Sequence, residues 1–174
     1  FLLKDYQKAR IIGFLWPSDA EDFGAAYHRF QSLIAIGSGG VFGQGWGKGV
    51  QTQLNILPEP HTDFIFPVIA EEWGFLRTLL VLALFLTFLT GTLGIARKTR
   101  EPVGRLILVG LVAMFSSQAL INIAMALGVV PITGVNLPFV SYGGSSLITS
   151  FIALSLIINV GLRSKVVLAR EDFS

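Results

Sequence analysis

The sequence of 174 residues contains no cysteine. This absence excludes disulfide bridges, thiol catalysis and cysteine-ligated metal sites. Histidine is almost absent too: His28 and His61 are the only two. Since no second histidine lies at ligand spacing from His61, we expect a hydrogen-bonding role for its imidazole rather than a metal-ligating one. Charged residues make up only 14% of the chain, against about 25% in an average soluble domain.

The few charged residues are unevenly distributed. Residues 1–72 hold 13 of the 24 Asp, Glu, Lys and Arg residues, whereas none lies between residues 106 and 162. A run of this length cannot be covered by water-facing side chains, so a soluble globular domain is excluded and a membrane protein is predicted. The sequence lacks the basic face with exposed aromatic residues that nucleic acids require, and no nucleic-acid partner is expected.

Three apolar runs are long enough to cross a membrane as helices, at residues 75–96, 106–130 and 138–162. Basic residues at 97–105 and 163–170 follow the first and third runs, so the positive-inside rule places both basic segments in the cytoplasm. The predicted fold is an all-α polytopic membrane protein in which a large outer loop with an amphipathic helix precedes three transmembrane helices. The predicted segments are an extracytoplasmic loop at 1–65, a transmembrane helix at 66–96, a cytoplasmic loop at 97–105, a transmembrane helix at 106–130, an extracytoplasmic re-entrant loop at 131–144, a transmembrane helix at 145–162 and a cytoplasmic tail at 163–174. Because the first residue is not Met, we expect the chain to be part of a longer protein.

The outer segment contains two features of its own. Tyr27, Phe30, Leu33 and Ile34 recur at helical spacing, which predicts a short amphipathic helix on the membrane surface. Residues 37–49 then include seven glycines. Their spacing matches neither the dinucleotide-binding nor the P-loop pattern, so a nucleotide site is not expected. A plain turn and a turn that lends backbone N–H groups to an anion both remain open.

Acidic residues collect near the outer end of the first span, where carboxylates are costly to bury and are therefore functional candidates. They are Glu59, Asp63, Glu71 and Glu72. Two interpretations of Asp63 remain open on residue type alone. It either caps the helix that starts at residues 64–66, a role that Thr62 would also suit, or it is a catalytic carboxylate.

The second outer loop, residues 128–146, contains two prolines and four glycines and cannot form a continuous helix. It is also too apolar for an ordinary exposed loop. Irregular backbone of this kind is tolerated at membrane depth where it is buried in protein or lines a wet cavity. Ser145 or Ser146 is expected to cap the helix that follows. The polar residues of the second span are expected to form interhelical hydrogen bonds: Ser116, Ser117, Gln118 and Asn122.

Three blocks of sequence form a long ordered pattern. The first is residues 31–40, Gln-Ser-Leu-Ile-Ala-Ile-Gly-Ser-Gly-Gly, and the second is residues 57–66, Leu-Pro-Glu-Pro-His-Thr-Asp-Phe-Ile-Phe. The third runs from Asn122 through Gly128 to a final Phe-Val-Ser-Tyr-Gly-Gly-Ser-Ser at 139–146. In content and order these blocks resemble the RodA/FtsW/SpoVE (SEDS) family. Residues 51–54 and 136–139 resemble its elongation-type members more than its division-type members.

The resemblance implies a ten-helix bundle in the bacterial inner membrane, of which this chain is the large outer loop and helices eight to ten. It implies a glycosyltransferase that polymerises lipid II into β-1,4-linked peptidoglycan strands during cell-wall elongation, together with a class B penicillin-binding protein and the elongation machinery. It also implies that Asp63 is the essential catalytic acidic residue, on the extracytoplasmic face.

That reaction inverts an α-linked donor and needs a general base on the acceptor hydroxyl, and apolar surroundings strengthen a carboxylate as a base. The leaving diphosphate needs positive charge, from Lys48, Arg29, a helix N-terminus or a divalent cation. No other cofactor is expected, and metal ligands are unassigned. The candidate substrate-binding or supporting residues are Glu59, His61, Thr62, Lys48, Glu71, Glu72, Asn122, Ser141 and Tyr142.

Two other functions remain open. A lipid II flippase would use Asp63 with Glu71 or Glu72 as a proton relay. Such a transporter needs a site reachable from both faces, whereas these acids collect at the outer end of the span, which favours the enzyme. A purely structural scaffold for the penicillin-binding protein leaves the acidic residues unexplained.

Overall fold

The computed structural model describes residues 20–50 and 62–171, with side chains described for 27–50 and 62–163. Four helices occur in these ranges: α1 (Ala20–Ser38), α2 (Ile65–Lys98), α3 (Pro102–Ala126) and α4 (Gly144–Glu171). The helices α2, α3 and α4 are each long and apolar enough to cross a membrane. All regular elements in the described ranges are helical, so the predicted all-α class with three apolar helices is confirmed.

Helix α2 consists of two helical pieces that meet at Gly74, whose φ of 77° and ψ of 176° are not helical. A single residue with these angles turns the chain sharply, and only glycine adopts them readily. Pro67, in contrast, lies in the first turn of the helix, where proline is tolerated. The second piece begins after Gly74 and is long enough to span the hydrocarbon core.

Hydroxyl groups on this second piece bond within the helix itself. Thr78, Thr87 and Thr92 each donate to the carbonyl oxygen four residues earlier, at 2.8 to 2.9 Å. The polar atoms of these side chains are therefore satisfied without water, as a lipid environment requires.

A tight turn connects α2 to α3. Arg97 and Lys98 occupy the last turn of α2, where positive charge is favourable at the C-terminal end of the helix dipole. Pro102 then takes the first position of α3, where its missing N–H costs nothing. The two helices are therefore antiparallel neighbours, with the basic turn at one end of the hairpin.

An aromatic cluster joins α2, α3 and α4. Phe115 of α3 is 1% exposed and packs against Phe88 of α2, with ring centroids 5.7 Å apart. Phe139, from the segment between α3 and α4, lies 5.6 Å from Phe88 and 5.3 Å from Phe115. Its φ of 64° is unusual for a residue other than glycine. The buried rings therefore hold this segment in a strained conformation.

The helix α1 packs against α2 and α3 through small side chains. Ala35 is fully buried against Phe64 and Val68, and the Ser32 hydroxyl donates to Ala126 O at 2.7 Å. The larger apolar residues of α1 point away from these contacts and are exposed: Tyr27, Phe30, Leu33 and Ile34. The predicted amphipathic helix is therefore present, and its apolar face is directed outwards.

Candidate functional site

Asp63 lies immediately before α2 and is half-buried. The helix begins at Ile65, and Phe64 occupies the N-cap position. Neither Thr62 nor Asp63 is therefore the N-cap residue, and the capping interpretation of these two residues is wrong. The Asp63 carboxylate therefore does not have the structural role, capping α2, that the sequence left open.

Asn122 of α3 connects Asp63 to the segment between α3 and α4 (residues 127–143), which we call the re-entrant segment after the re-entrant loop predicted at 131–144. Its Nδ2 donates to Asp63 O at 3.0 Å and to Val135 O at 2.7 Å. The side chain is fully buried. Both partners are carbonyl acceptors, which fixes the orientation of the amide group. Asn122 was expected to bond between helices, and it bonds instead to the chain flanking α2 and to the re-entrant segment.

Ser141 makes a second connection between the same two segments. Its hydroxyl donates to Thr62 O at 2.7 Å and accepts the N–H of Leu137 at 2.8 Å. Ser141 is 2% exposed. Together, Asn122 and Ser141 bind the consecutive carbonyls of Thr62 and Asp63. We call this pair of connections the clasp.

The clasp places the Asp63 carboxylate beside Gly134. A β-carbon added to Gly134 would lie 3.3 Å from Asp63 Oδ2, and Gly134 has a φ of 71°. Any other residue would be strained at this φ and would crowd the carboxylate. Gly134 was not among the sequence candidates, because nothing in its local sequence distinguishes it from the other glycines of the segment.

The acidic pair Glu71 and Glu72 lies about 9 Å further along α2 than its first residue, next to the glycine-rich segment. Glu71 is fully buried and Glu72 half-buried. Their carbonyl oxygens accept the N–H groups of Gln44 and Gly45, each at 3.0 Å. On the other side of Gly74, Phe75 N donates to Gly40 O at 2.9 Å. The glycine-rich segment (residues 37–49) thus supplies hydrogen-bond partners for backbone groups on both sides of the break in α2.

The other predicted site residues that the structure describes lie in or against the re-entrant segment, or in the glycine-rich segment beside the break in α2. Lys48 is exposed in the glycine-rich segment, and Tyr142 is 74% exposed in the re-entrant segment. Arg29 lies against that segment too, since a β-carbon on Gly128 would meet its Cγ and Cδ. Glu59 and His61 lie outside the described residues. Among the residues that are described, no group of three His, Asp or Glu side chains is placed to hold a metal ion.

Two minor sequence predictions are wrong. Helix α4 begins at Gly144, and Gly143 O accepts the N–H of Leu147 as the first helical bond, so Gly143 rather than Ser145 or Ser146 is the cap. Ser117 was expected to bond between helices, but its hydroxyl donates to Met114 O of its own helix at 2.8 Å.

A polar cavity of about 360 Å³ lies between α3, the re-entrant segment and the first turns of α4. Gly134, which faces Asp63, is one of the residues that line it. A wet cavity lined by the loop at 128–146 was one of two alternatives that the sequence left open, and the loop lines this cavity through Gly134, Val135 and Asn136. Four hydroxyl residues at helical spacing in α4 were a further signal that was not used: Ser145, Ser146, Thr149 and Ser150.

The protein defined by this fold is a polytopic membrane protein in which the irregular segment between α3 and α4 packs against Asp63, just before α2. Comparison with known proteins identifies its family. A family model described as "Cell cycle protein" (FtsW/RodA/SpoVE) matches residues 1–166, and the chain belongs to this family.

The curated relatives include "Peptidoglycan glycosyltransferase MrdB" of Escherichia coli (strain K12), which is 43% identical over 165 residues, covering 95% of this chain and 44% of the relative. "Peptidoglycan glycosyltransferase RodA" of Treponema pallidum (strain Nichols) is 43% identical over 162 residues, covering 93% of this chain and 37% of the relative. The chain thus spans less than half the length of these relatives.

A solved structure described as "Structural coordination of polymerization and crosslinking by a peptidoglycan synthase complex" has a similar fold. Its TM-score is 0.69 at 32% identity, covering 93% of this chain and 43% of that one. Family and apolar helices together define a multi-pass inner-membrane protein.

Proposed function

We propose that the protein is a peptidoglycan glycosyltransferase that polymerises lipid II into β-1,4-linked strands during cell-wall elongation, with Asp63 as its general base. The observation that carries the proposal is the clasp, because it fixes the main chain of Asp63 and directs its carboxylate towards Gly134. Relatives named peptidoglycan glycosyltransferases support the same reaction class.

In this reaction, the oxygen of the acceptor 4-hydroxyl forms a bond to the anomeric carbon of the donor. The bond from that carbon to the diphosphate oxygen breaks, and the electron pair leaves with the diphosphate. The hydroxyl proton passes to the carboxylate of Asp63. One displacement inverts the α-linkage to β, and the developing positive charge on the sugar is stabilised by the nearby carboxylate.

The leaving diphosphate requires positive charge. Arg29 is the better placed of the two candidate side chains, because it lies against Gly128 of the same segment that contains Gly134. Lys48 lies in the glycine-rich segment beside the break in α2. A divalent cation stays an untested prediction, and no step of this mechanism depends on it.

Asp63 is assigned to the extracytoplasmic face, opposite the basic turn between α2 and α3. The proposed partner is a class B penicillin-binding protein of the elongation machinery. The structural relative described as a peptidoglycan synthase complex supports such a partner. The apolar faces of α1 and α2 that are exposed in this part of the protein are the proposed contacts for membrane lipid and for this partner.

A lipid II flippase is the second candidate, and the full burial of Glu71 is the observation that favours it. Its relay would run from Asp63 to Glu71 and Glu72. The clasp, which would hold Asp63 in one position, favours the enzyme instead.

The test uses purified full-length protein in vesicles with labelled lipid II supplied in the outer leaflet only. The expected result is glycan polymer in the absence of any proton gradient. Translocation of lipid II without polymer, dependent on a proton gradient, would replace the enzyme by the flippase. Inclusion of the penicillin-binding protein partner guards against an inactive isolated subunit.

A further inference from the structure

The polar cavity extends from the re-entrant segment and the start of α4 into the span of the helices. Gln118, on its α3 wall, precedes the end of that helix at Ala126 by eight residues, or about 12 Å. Thr149, on its α4 wall, follows Gly144 by five residues, or about 8 Å. The inner part of the cavity therefore lies between the apolar helices α3 and α4.

The lining of the cavity is polar but uncharged. Its polar residues are Gln118, Asn136, Ser145, Ser146, Thr149 and Ser150. No charged side chain is among the described residues that line it. A diphosphate therefore finds no counter-charge among these residues, and a lipid tail finds only Met114 and Val135 as apolar lining.

Hydrogen-bonding capacity in the cavity matches a sugar. The hydroxyls of Thr149 and Ser150 donate to carbonyls of their own helix, each at 2.9 Å, so their oxygens remain available as acceptors. The amides of Gln118 and Asn136 offer both donors and acceptors. Sugar hydroxyl groups both donate and accept, and so complement this set.

Two further observations favour a ligand. Ser145 and Thr149, which line the cavity, are both exposed. The volume of about 360 Å³ lies within the range of about 300 to 1,000 Å³ for ligand pockets. The side-chain amides of Gln118 and Asn136 are costly at membrane depth unless they bind protein, water or a ligand, and a sugar in the cavity would satisfy them.

We propose that the cavity is the subsite for the acceptor sugar ring, a neutral N-acetylated hexopyranose held by Gln118, Asn136 and Thr149. This inference rests on the proposed function. It places the ring next to Gly134, which borders the cavity and on which an added β-carbon would lie 3.3 Å from Asp63 Oδ2.

The test measures saccharide binding separately from catalysis. Full-length protein is titrated with N,N′-diacetylchitobiose, and binding is followed by saturation-transfer NMR. Thr149→Val removes one hydroxyl at constant shape and is expected to weaken binding about three- to tenfold, the effect of one hydrogen bond. Gln118→Met, which keeps length and removes the amide, is expected to do the same.

Thr87→Val is the matched control. Thr87 is also exposed and also donates to the carbonyl four residues earlier, at 2.8 Å, but it lies on α2 outside the cavity. The affinity of the Thr87→Val variant for the disaccharide is expected to equal that of the wild type. No saturable binding by the wild type, equal affinity in Thr149→Val, or equal weakening in Thr87→Val would each overturn the subsite.

This experiment distinguishes an error in the acceptor subsite from an error in the proposed general base. Asp63→Asn is expected to bind the disaccharide as the wild type does while forming no polymer. If Asp63→Asn forms polymer but Thr149→Val still weakens binding, the assignment of the base is lost and the subsite stands. If Asp63→Asn is inactive and the cavity variants bind normally, the subsite is lost and the base stands.

Discussion

At the scale of single residues, Asn122 uses both hydrogens of one amide group on two backbone carbonyls from distant parts of the chain. Each of these carbonyls would otherwise need a different donor in a region with little water, and an unpaired buried carbonyl costs about 1–3 kcal/mol. The position of Asp63 relative to Val135 therefore depends on this one side chain. Ser141 supports it from the neighbouring residue, Thr62.

The role of Asn122 leads to a prediction about catalysis. Asn122→Leu keeps the approximate volume and removes both donors, so Asp63 shifts relative to the re-entrant segment. Because small displacements of a catalytic group are costly, we expect the polymerisation rate to fall roughly 10- to 100-fold. Rates per mole of folded protein are measured with lipid II.

Ser117→Ala is the control for this prediction. Ser117 lies on the same helix, is exposed, and bonds only to Met114 O in the described structure. It is expected to polymerise at the wild-type rate. A wild-type rate in Asn122→Leu would show that the clasp does not position Asp63 for the reaction.

At the scale of elements, α2 is interrupted by a segment from another part of the chain. A break in a membrane helix leaves N–H and C=O groups unpaired unless other groups replace the lost bonds. Gln44 and Gly45 donate to the carbonyls before Gly74, while Gly40 and Val41 accept N–H groups after it, at 2.9 and 3.2 Å. Glycines permit this close contact, since a β-carbon on Gly43 would overlap the backbone of Glu72.

Because α2 is broken at Gly74, one methyl group added at this residue is expected to lower the stability of the protein strongly. In Gly74→Ala the new β-carbon would overlap the backbone of Phe42 and Gly43, at a φ and ψ that alanine avoids. We expect a loss of at least about 3 kcal/mol of stability, or failure to accumulate in the membrane. The measurement is the thermal unfolding midpoint in detergent, together with the membrane level.

Gly91→Ala tests whether glycine substitution in α2 is harmful in general. No heavy atom lies within 4 Å of a β-carbon built on Gly91. Since alanine is favoured over glycine in a helix by about 1 kcal/mol, this variant is expected to be as stable as the wild type or more so. A midpoint for Gly74→Ala equal to that of Gly91→Ala would contradict the account of the break.

The elements differ in how far the sequence predicts them. The three apolar helices follow from run length and from the charges at 97–105, both of which are local properties of the chain. The break at Gly74 depends on contact with residues 40–45, and the clasp joins Ser141 to Thr62, 79 residues apart. No local pattern encodes such contacts. Asp63 was a candidate from its motif, whereas Gly134 and the cavity emerge only when distant segments meet.

At the scale of the whole molecule, the basic turn and the candidate site lie at opposite ends of the helices. The basic turn with Arg97 and Lys98 joins α2 to α3 at one end. Asp63, the clasp and the re-entrant segment lie at the other end, since α2 begins and α3 ends there. The positive-inside rule then predicts that the basic turn is cytoplasmic and the site extracytoplasmic.

Cysteine labelling in intact cells tests this orientation, and these 174 residues contribute no natural cysteine to the background. Lys48→Cys and Lys98→Cys both place the thiol at an exposed position. A membrane-impermeant maleimide added outside is expected to label Lys48→Cys, and to label Lys98→Cys only after the membrane is opened. Labelling of Lys98→Cys in intact cells would reverse the topology.

Whether Asp63 acts as the general base is decided by the rate at which Asp63→Asn polymerises lipid II. Asn122 binds the backbone oxygen of residue 63 rather than its side chain, so the substitution leaves the clasp intact. Asp63→Glu keeps the charge but moves it, and is expected to be weak or inactive. With normal membrane levels, we predict that Asp63→Asn loses roughly 10²–10⁴-fold in rate. Polymerisation by Asp63→Asn at close to the wild-type rate would contradict the account.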